Sequence, residues 1–234
     1  MKGNSSMNTE TQTSTQELSA RATLATPIIR IAQTEAEKRE VYRFRYRIYV
    51  KEMGRDQKTA DHENQMLSDQ LDKTALILMA VADGEVVGTA RMNFSSDTVL
   101  PEEELYEFSK FEALHPGRVS LISKMIIDHR YRRTRLFLQL CERMSIESIR
   151  RSTRRVVIAT GNHLVGIFAR VGFVQYKPTT TWLDYGTSNC MVIDPFDLEH
   201  LRSQRSPILP ICESLLEEKK EIRASQVFWA AQYS

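Results

Sequence analysis

Arg45 and Tyr49, four residues apart in RYRIY, and Asp69 and Asp72, three apart in DQLD, are the polar groups whose spacing suggests chemistry. On a helix the first pair lines one stripe, while Val41, Phe44 and Ile48 form a separate apolar stripe that reads as core. Two carboxylates beside arginines can form a geometrically specific network and hold an ammonium group. Arg91 in GTARM and Ser123-Lys124 in LISKM offer further charge and a hydroxyl on strands. Plainer roles compete for all of them: a surface ion pair for Arg45, turn caps for Asp69 and Asp72, solvent-facing strand charges for Arg91 and Lys124. The five histidines and three cysteines form no ligand spacing, so no metal site is expected.

The elements that must position these groups follow from periodicity. Residues 1–26 are rich in Ser, Thr, Gln and Asn and read as a disordered leader. PIIRIA, 27–32, reads as a strand, and Thr34 with Glu37 is a capping-box signal for the helix that carries Arg45 and Tyr49. Two apolar runs around Asp83-Gly84 predict a hairpin over 75–94. A polar passage, 95–118, leads to a strand over 119–128. A helix with Leu136, Leu140 and Met144, a buried strand at 155–160, a helix in the stretch 162–173 closed by Gly172, and a hairpin over 179–193 follow. Residues 27–197 thus suit one domain, and 198–234, with Ile211 and Leu215, a helical tail docked on it or on a partner.

With 234 residues, 41% of them hydrophobic, the chain can bury a real core, and a formal charge of +2 gives no global reason for nucleic-acid binding. No window has the roughly 20 apolar residues that cross a bilayer, so no transmembrane segment is expected. Scattered cysteines favour a reducing cytoplasm. Charge is concentrated locally: residues 128–155 hold nine arginines against Asp128, Glu142 and Glu147. Nucleic acid is the lesser reading of that cluster, because Leu136, Phe137, Leu140 and Met144 look like a helix packed on a sheet.

The order strand, helix, hairpin, long strand, helix, strand, helix, hairpin resembles the GNAT acyltransferases, which implies an α/β (α+β) fold with a central twisted mixed sheet flanked by helices. RYRIY, DQLD, GTARM and SK at 123–124 resemble, in the correct order, motifs of the acyl-homoserine-lactone synthases. The glutamate that precedes Ser-Arg in those enzymes is Leu121 here. The Ser-Lys pair and VYRFRYRIYVKEMG are more similar to N-acyl amino acid synthases of the FeeM type. That resemblance implies transfer of a long fatty acyl chain from acyl carrier protein to the α-amine of an amino acid, with Arg45, Asp69, Asp72, Arg91, Ser123 and Lys124 at the catalytic centre and Tyr49 beside the acceptor. A cytoplasmic enzyme with a lipid product would work close to the membrane surface.

Coenzyme-A-dependent GNAT enzymes use a glycine-bearing loop whose N–H groups approach a pyrophosphate. Arg132, Arg133, Thr134 and Arg135 stand there instead. Arg130, Arg132, Arg133, Arg135, Arg151 and Arg154 are therefore expected to meet an acidic carrier protein that brings its own phosphopantetheine, with no tightly bound cofactor. Backbone N–H groups near Met125 or Ile126 would hold the oxyanion, and Ile122, Ile126 and Ile158 would wall the acyl chain where two strands diverge. Glu107, or Asp69 through water, is the candidate base. A coenzyme-A-dependent N-acetyltransferase and a noncatalytic GNAT-like binding module are the alternatives.

Overall fold

The computed structural model describes residues 24–182 and 186–232. Most of the predicted leader lies outside the described residues. The chain opens with strand β1 (Ile28–Ile31) and helix α1 (Glu35–Tyr46). Thr34 Oγ1 accepts from the Glu37 N–H and the Glu37 carboxylate accepts from the Thr34 N–H, so the predicted capping box closes. The helix then widens into π-helical turns over Arg47–Glu52, which periodicity did not foretell. Two short strands, β2 (Ala60–Asp61) and β3 (Met66–Leu67), and a 3-10 turn over Gln70–Lys73 bring the chain to the main sheet.

Strands β4 (Leu76–Ala82) and β5 (Glu85–Phe94) form the expected hairpin. Asp83 and Gly84 both have positive φ, 49° and 77°, as a two-residue turn of matching twist requires. The polar passage contains two short helices, α2 (Glu103–Tyr106) and α3 (Phe108–Leu114), before strand β6 (Val119–Ile127). Helix α4 (Leu136–Arg150), strand β7 (Arg155–Thr160) and helix α5 (Asn162–Val171) come next. Gly172 ends α5 at φ 114°, and a Cβ there would meet Leu201 Cδ2 at 2.9 Å, so both conformation and space favour glycine. Strands β8 (Val174–Gln175), β9 (Thr180–Trp182) and β10 (Gly186–Ile193) and helices α6 (Leu198–Ser203) and α7 (Leu209–Gln232) complete the chain.

Among the described residues the sheet runs β1-β4-β5-β6-β7-β10-β8, with β9 paired to β10. Its pairs are antiparallel except β6 with β7. One face carries α4, α5 and α7: Leu136, Leu140, Met144, Phe168 and Cys212 pack with Ile122, Val156, Ile158 and Met191. On the other face, Val41 of α1 packs with Ile77 and Met79, and Leu105, Tyr106 and Phe108 of α2–α3 pack with Val119, Leu121, Val157 and Cys190. The candidate site lies between these two helical covers. The tail helix α7 docks along α4, where Lys219 Nζ donates to Ile149 O at 2.6 Å.

Candidate active site

The 3-10 turn over Gln70–Lys73 fixes both aspartates. Asp69 caps it, accepting from the Leu71 N–H at 3.0 Å, and Asp72 Oδ2 accepts from the Asp69 N–H at 2.9 Å. Asn93 of β5 pins the turn by donating to Leu71 O at 2.9 Å, a contact with no distinctive sequence signal. The capping role that competed with catalysis in the sequence is thus present, and it leaves carboxylate oxygens for two arginines.

Arg45 is fully buried and donates from Nη1 to Asp72 Oδ1 at 2.7 Å. Arg91, 3% exposed, bonds Asp69 through Nη1, lies 3.3 Å from Asp72 Oδ2, and donates from Nε to Ser123 Oγ at 2.9 Å. Arg45, Asp72, Arg91, Asp69 and Ser123 form one continuous chain from α1 to β6. Burial raises the Asp69 pKa, but the positive charge and hydrogen bond of Arg91, helped by Lys124, more than offset it, so this carboxyl stays below the usual range.

Lys124 completes the group, with Nζ 3.9 Å from Asp69 Oδ2 and 5.4 Å from the centre of the Tyr49 ring. Arg55 approaches the same ring at 5.4 Å. Tyr49 projects from the π-helical turns, a local form that recurs at functional sites. Burial lowers the Lys124 pKa, and Arg91 and Arg45 push the same way against Asp69.

Lys124 has φ 51°, unusual for a lysine inside a strand. The pairing of Thr89 with Ile126 and of Arg91 with Ser123 leaves Ala90 opposite Lys124 and Met125, a bulge. The bulge changes which face each later residue meets. Ile122, Ile158 and half-buried Met125 belong to the α4 side, whereas Ile126 packs with Phe44 and Ile48 on the α1 side. The expectation that Ile122, Ile126 and Ile158 share one wall is therefore corrected.

Pairing of β6 with β7 stops at Ile122 and Ile158, although β6 continues to Ile127. Beyond that point the β7-facing side of β6 lacks ladder partners, which leaves backbone polar groups in the diverging cleft. On the α4 face, at the paired end of β6 and β7, lies a void of about 10 Å³ lined by Ile122, Ser148, Val156, Ile193 and Pro195, room for about one water.

Two other expectations change. Glu107 is held by hydrogen bonds from Lys110 and from Lys177, the latter at 3.0 Å, and both keep its carboxyl below the ordinary range. Glu102, overlooked in the polar passage, is the acidic group whose pKa partial burial raises, with Arg91 and Lys124 pulling the other way.

The arginine cluster also divides. Arg130 grips buried Asp128, with Nε to Oδ1 at 3.0 Å and Nη2 to Oδ2 at 3.1 Å, and Arg47 joins at 2.9 Å. Arg132 is exposed and donates to Ile127 O at 3.2 Å, and Arg133 and Arg135 are exposed before α4. Arg151 pairs with Asp97 at 2.5 Å and Arg154 with Asp194 at 2.9 Å. They follow the far end of α4, about 22 Å from the loop by helical rise. One basic face running through residues 128–155 does not exist; the exposed arginines near the cleft are those of the loop.

The family model described as N-acyl amino acid synthase FeeM matches residues 40–194. Among solved structures, the chain is similar to FeeM, an N-acyl amino acid synthase from uncultured soil microbes, with a TM-score of 0.60 and 12% identity over 74% of this chain and 92% of that one. It is similar to BjaI, a CoA-dependent acyl-homoserine lactone synthase, with a TM-score of 0.57 and 17% identity over 78% and 90%. An acetyltransferase of the GNAT family from Streptococcus pneumoniae gives 0.50 and 13% over 72% and 98%. No curated protein sequence matches the chain. At these identities the structural likenesses speak for a GNAT-like fold alone, while the family match covers most of the chain.

Proposed function

The chain belongs to the FeeM family of N-acyl amino acid synthases, and we propose that this acyltransferase moves a long-chain fatty acyl group from acyl carrier protein to the α-amine of an amino acid. The observation that carries the proposal is the buried network Arg45–Asp72–Arg91–Asp69, which ends at Ser123 and Lys124 beside the β6 bulge. Charges so costly to bury are held by mutual pairing and backbone hydrogen bonds, and Asp69, their partly exposed member, can receive an ammonium group.

In this reading Asp69 orients the acceptor, with Tyr49 and Lys124 at its side. The acyl thioester lies in the cleft where β6 leaves β7, and backbone N–H groups near Met125 stabilise the oxyanion. The acyl chain runs along Met125, Ile122 and Ile158, each buried methylene contributing about 0.8 kcal/mol. Arg132, Arg133 and Arg135 provide exposed positive charge for an acidic carrier protein, and the absence of glycines in their loop disfavours a close pyrophosphate cradle. Acyl-coenzyme A is the competing donor.

Incubation with palmitoyl acyl carrier protein and, separately, palmitoyl-coenzyme A, each with all amino acids present, followed by mass spectrometry, tests the proposal. An N-palmitoyl amino acid from the carrier protein is expected. Product from coenzyme A alone would overturn the donor assignment, and no N-acyl product from either would overturn the acceptor assignment.

A further inference from the structure

A helix that covers a sheet turns its apolar residues inward and its polar ones outward. Helix α5 does not keep that division. Phe168 and Val171 are buried against the core, yet Leu164 and Ile167, one turn apart, are each 39% exposed. Gly166 lies between them, also exposed, and a Cβ there would meet nothing within 4 Å. Glycine inside a helix lowers its stability, and neither packing nor a positive φ requires one at this place. An apolar helix surface with a low centre suits close approach by another surface.

The topology puts this face at the open end of the cleft. Strands β6 and β7 are parallel, so α4 and α5, which follow them, both start at the end of the sheet where the two strands diverge. The Phe137 ring, in the first turn of α4, meets the Phe168 ring of α5 at 5.3 Å between centres and 71° between planes. Leu164 stands one turn before Phe168, about 6 Å nearer the cleft end by helical rise. The loop that carries Arg132, Arg133 and Arg135 leads directly into Leu136 and Phe137. Loop and helix face are therefore neighbours at one end of the molecule.

The charge around the apolar strip has one sign. Residues 129–141 and 161–175 contain Arg130, Arg132, Arg133, Arg135 and Arg170 and no aspartate or glutamate. Arg130 is held by Asp128, but Arg133, Arg135 and Arg170 are exposed, and no ion pair engages them among the described residues. Exposed arginines elsewhere do have carboxylate partners: Arg43 with Glu40, Arg151 with Asp97, Arg202 with Glu213. A small apolar centre rimmed by unpaired arginines has the composition of a protein interface. Its few residues suit a short-lived encounter, not a permanent dimer.

We propose that the exposed face of α5 formed by Leu164, Gly166 and Ile167, bordered by Arg133, Arg135 and Arg170, is the surface on which the acidic carrier protein docks to pass its thioester arm into the cleft. The inference rests on the carrier-dependent acyl transfer proposed above, and it adds an apolar anchor to the loop arginines. The arginines draw in an acidic surface and fix its orientation. Leu164 and Ile167 exclude water at the centre, with apolar side chains of the carrier seated over Gly166. A lipid bilayer fits less well, because an interfacial helix buries a broad apolar face and α5 exposes two large apolar side chains in ten residues.

The test measures N-acylation by wild type, Ile167→Asp and Arg170→Glu with two donors, palmitoyl acyl carrier protein and palmitoyl pantetheine, the second lacking the protein that would dock. Each variant is expected to raise KM for the carrier donor about tenfold or more, as loss of an interface contact does, with kcat kept. Turnover of palmitoyl pantetheine and the melting temperature should stay at wild-type values. Unchanged KM for the carrier donor, or an equal loss with both donors, would overturn the docking surface while leaving the synthase standing. Loss of binding to phosphatidylglycerol vesicles, or a change in oligomeric mass, with carrier KM unchanged, would give the face to a membrane or a second copy and overturn the proposal. Wild type that makes N-acyl product from palmitoyl pantetheine but not from the carrier would overturn the donor assignment, and the docking surface with it. No N-acyl product from either donor would overturn acyl transfer itself, and again the docking surface.

Discussion

At the scale of single residues, Asp72 binds the site to the fold. It is 4% exposed, accepts from Arg45 and from the Asp69 N–H, and lies beside Arg91. Asp72→Asn should destabilise the protein by about 3–5 kcal/mol in urea unfolding, because a fully buried Arg45 would lose its countercharge. Arg45→Met in the same background should recover part of that loss, since it removes the orphaned charge as well. The pattern of Arg45, Asp69, Asp72 and Arg91 was legible from residue type, spacing and family motifs. The pairing of Glu107 was not, because Lys177 lies far away in sequence and the acidic run PEEELYE offers several carboxylates of equal appearance.

At the scale of elements, two irregular segments form the site. The π-helical turns over Arg47–Glu52 reposition Tyr49, and the bulge at Lys124 separates Ile126 from Ile122. Hydrophobic periodicity could identify the helix and the strand but not these insertions, because both preserve the apolar pattern on either side while changing its phase. The helix and the loop after β6 are joined through Asp128, which is buried and bonded by Arg47 and Arg130. Burial opposes its ionisation, but the hydrogen bonds and charge of the two arginines hold the carboxyl far below its ordinary range.

The folded-state pKa of Asp128 is depressed, so its stabilisation is present above the unfolded value of about 3.9 and is lost as pH falls below it. Wild type should therefore lose urea resistance progressively from about pH 5 downward. Asp128→Asn should be less stable at neutral pH and show a shallower loss over that acidic range. Parallel curves for the two proteins would mean that Asp128 does not supply this linkage.

At the scale of the whole molecule, the sheet separates two tasks. The α4, α5 and α7 face carries the main core, while the α1 and α2–α3 face leaves a gap for the charge network. The succession of strands and main helices along the chain was readable from the alternation of apolar runs and turn signals. Division of the arginines was not, because sequence proximity places Arg135 and Arg151 in one cluster and a fifteen-residue helix puts them at opposite ends. Among the described residues no helix is long and apolar enough to cross a membrane.

Acyl transfer to an amine makes thioester cleavage depend on the acceptor, so the most direct measurement is release of free carrier thiol from palmitoyl acyl carrier protein with and without amino acids. The account predicts saturable release that requires an amino acid and matches the N-acyl product formed mole for mole. Thiol release at the same rate without any amino acid, or no release under either condition, would contradict it.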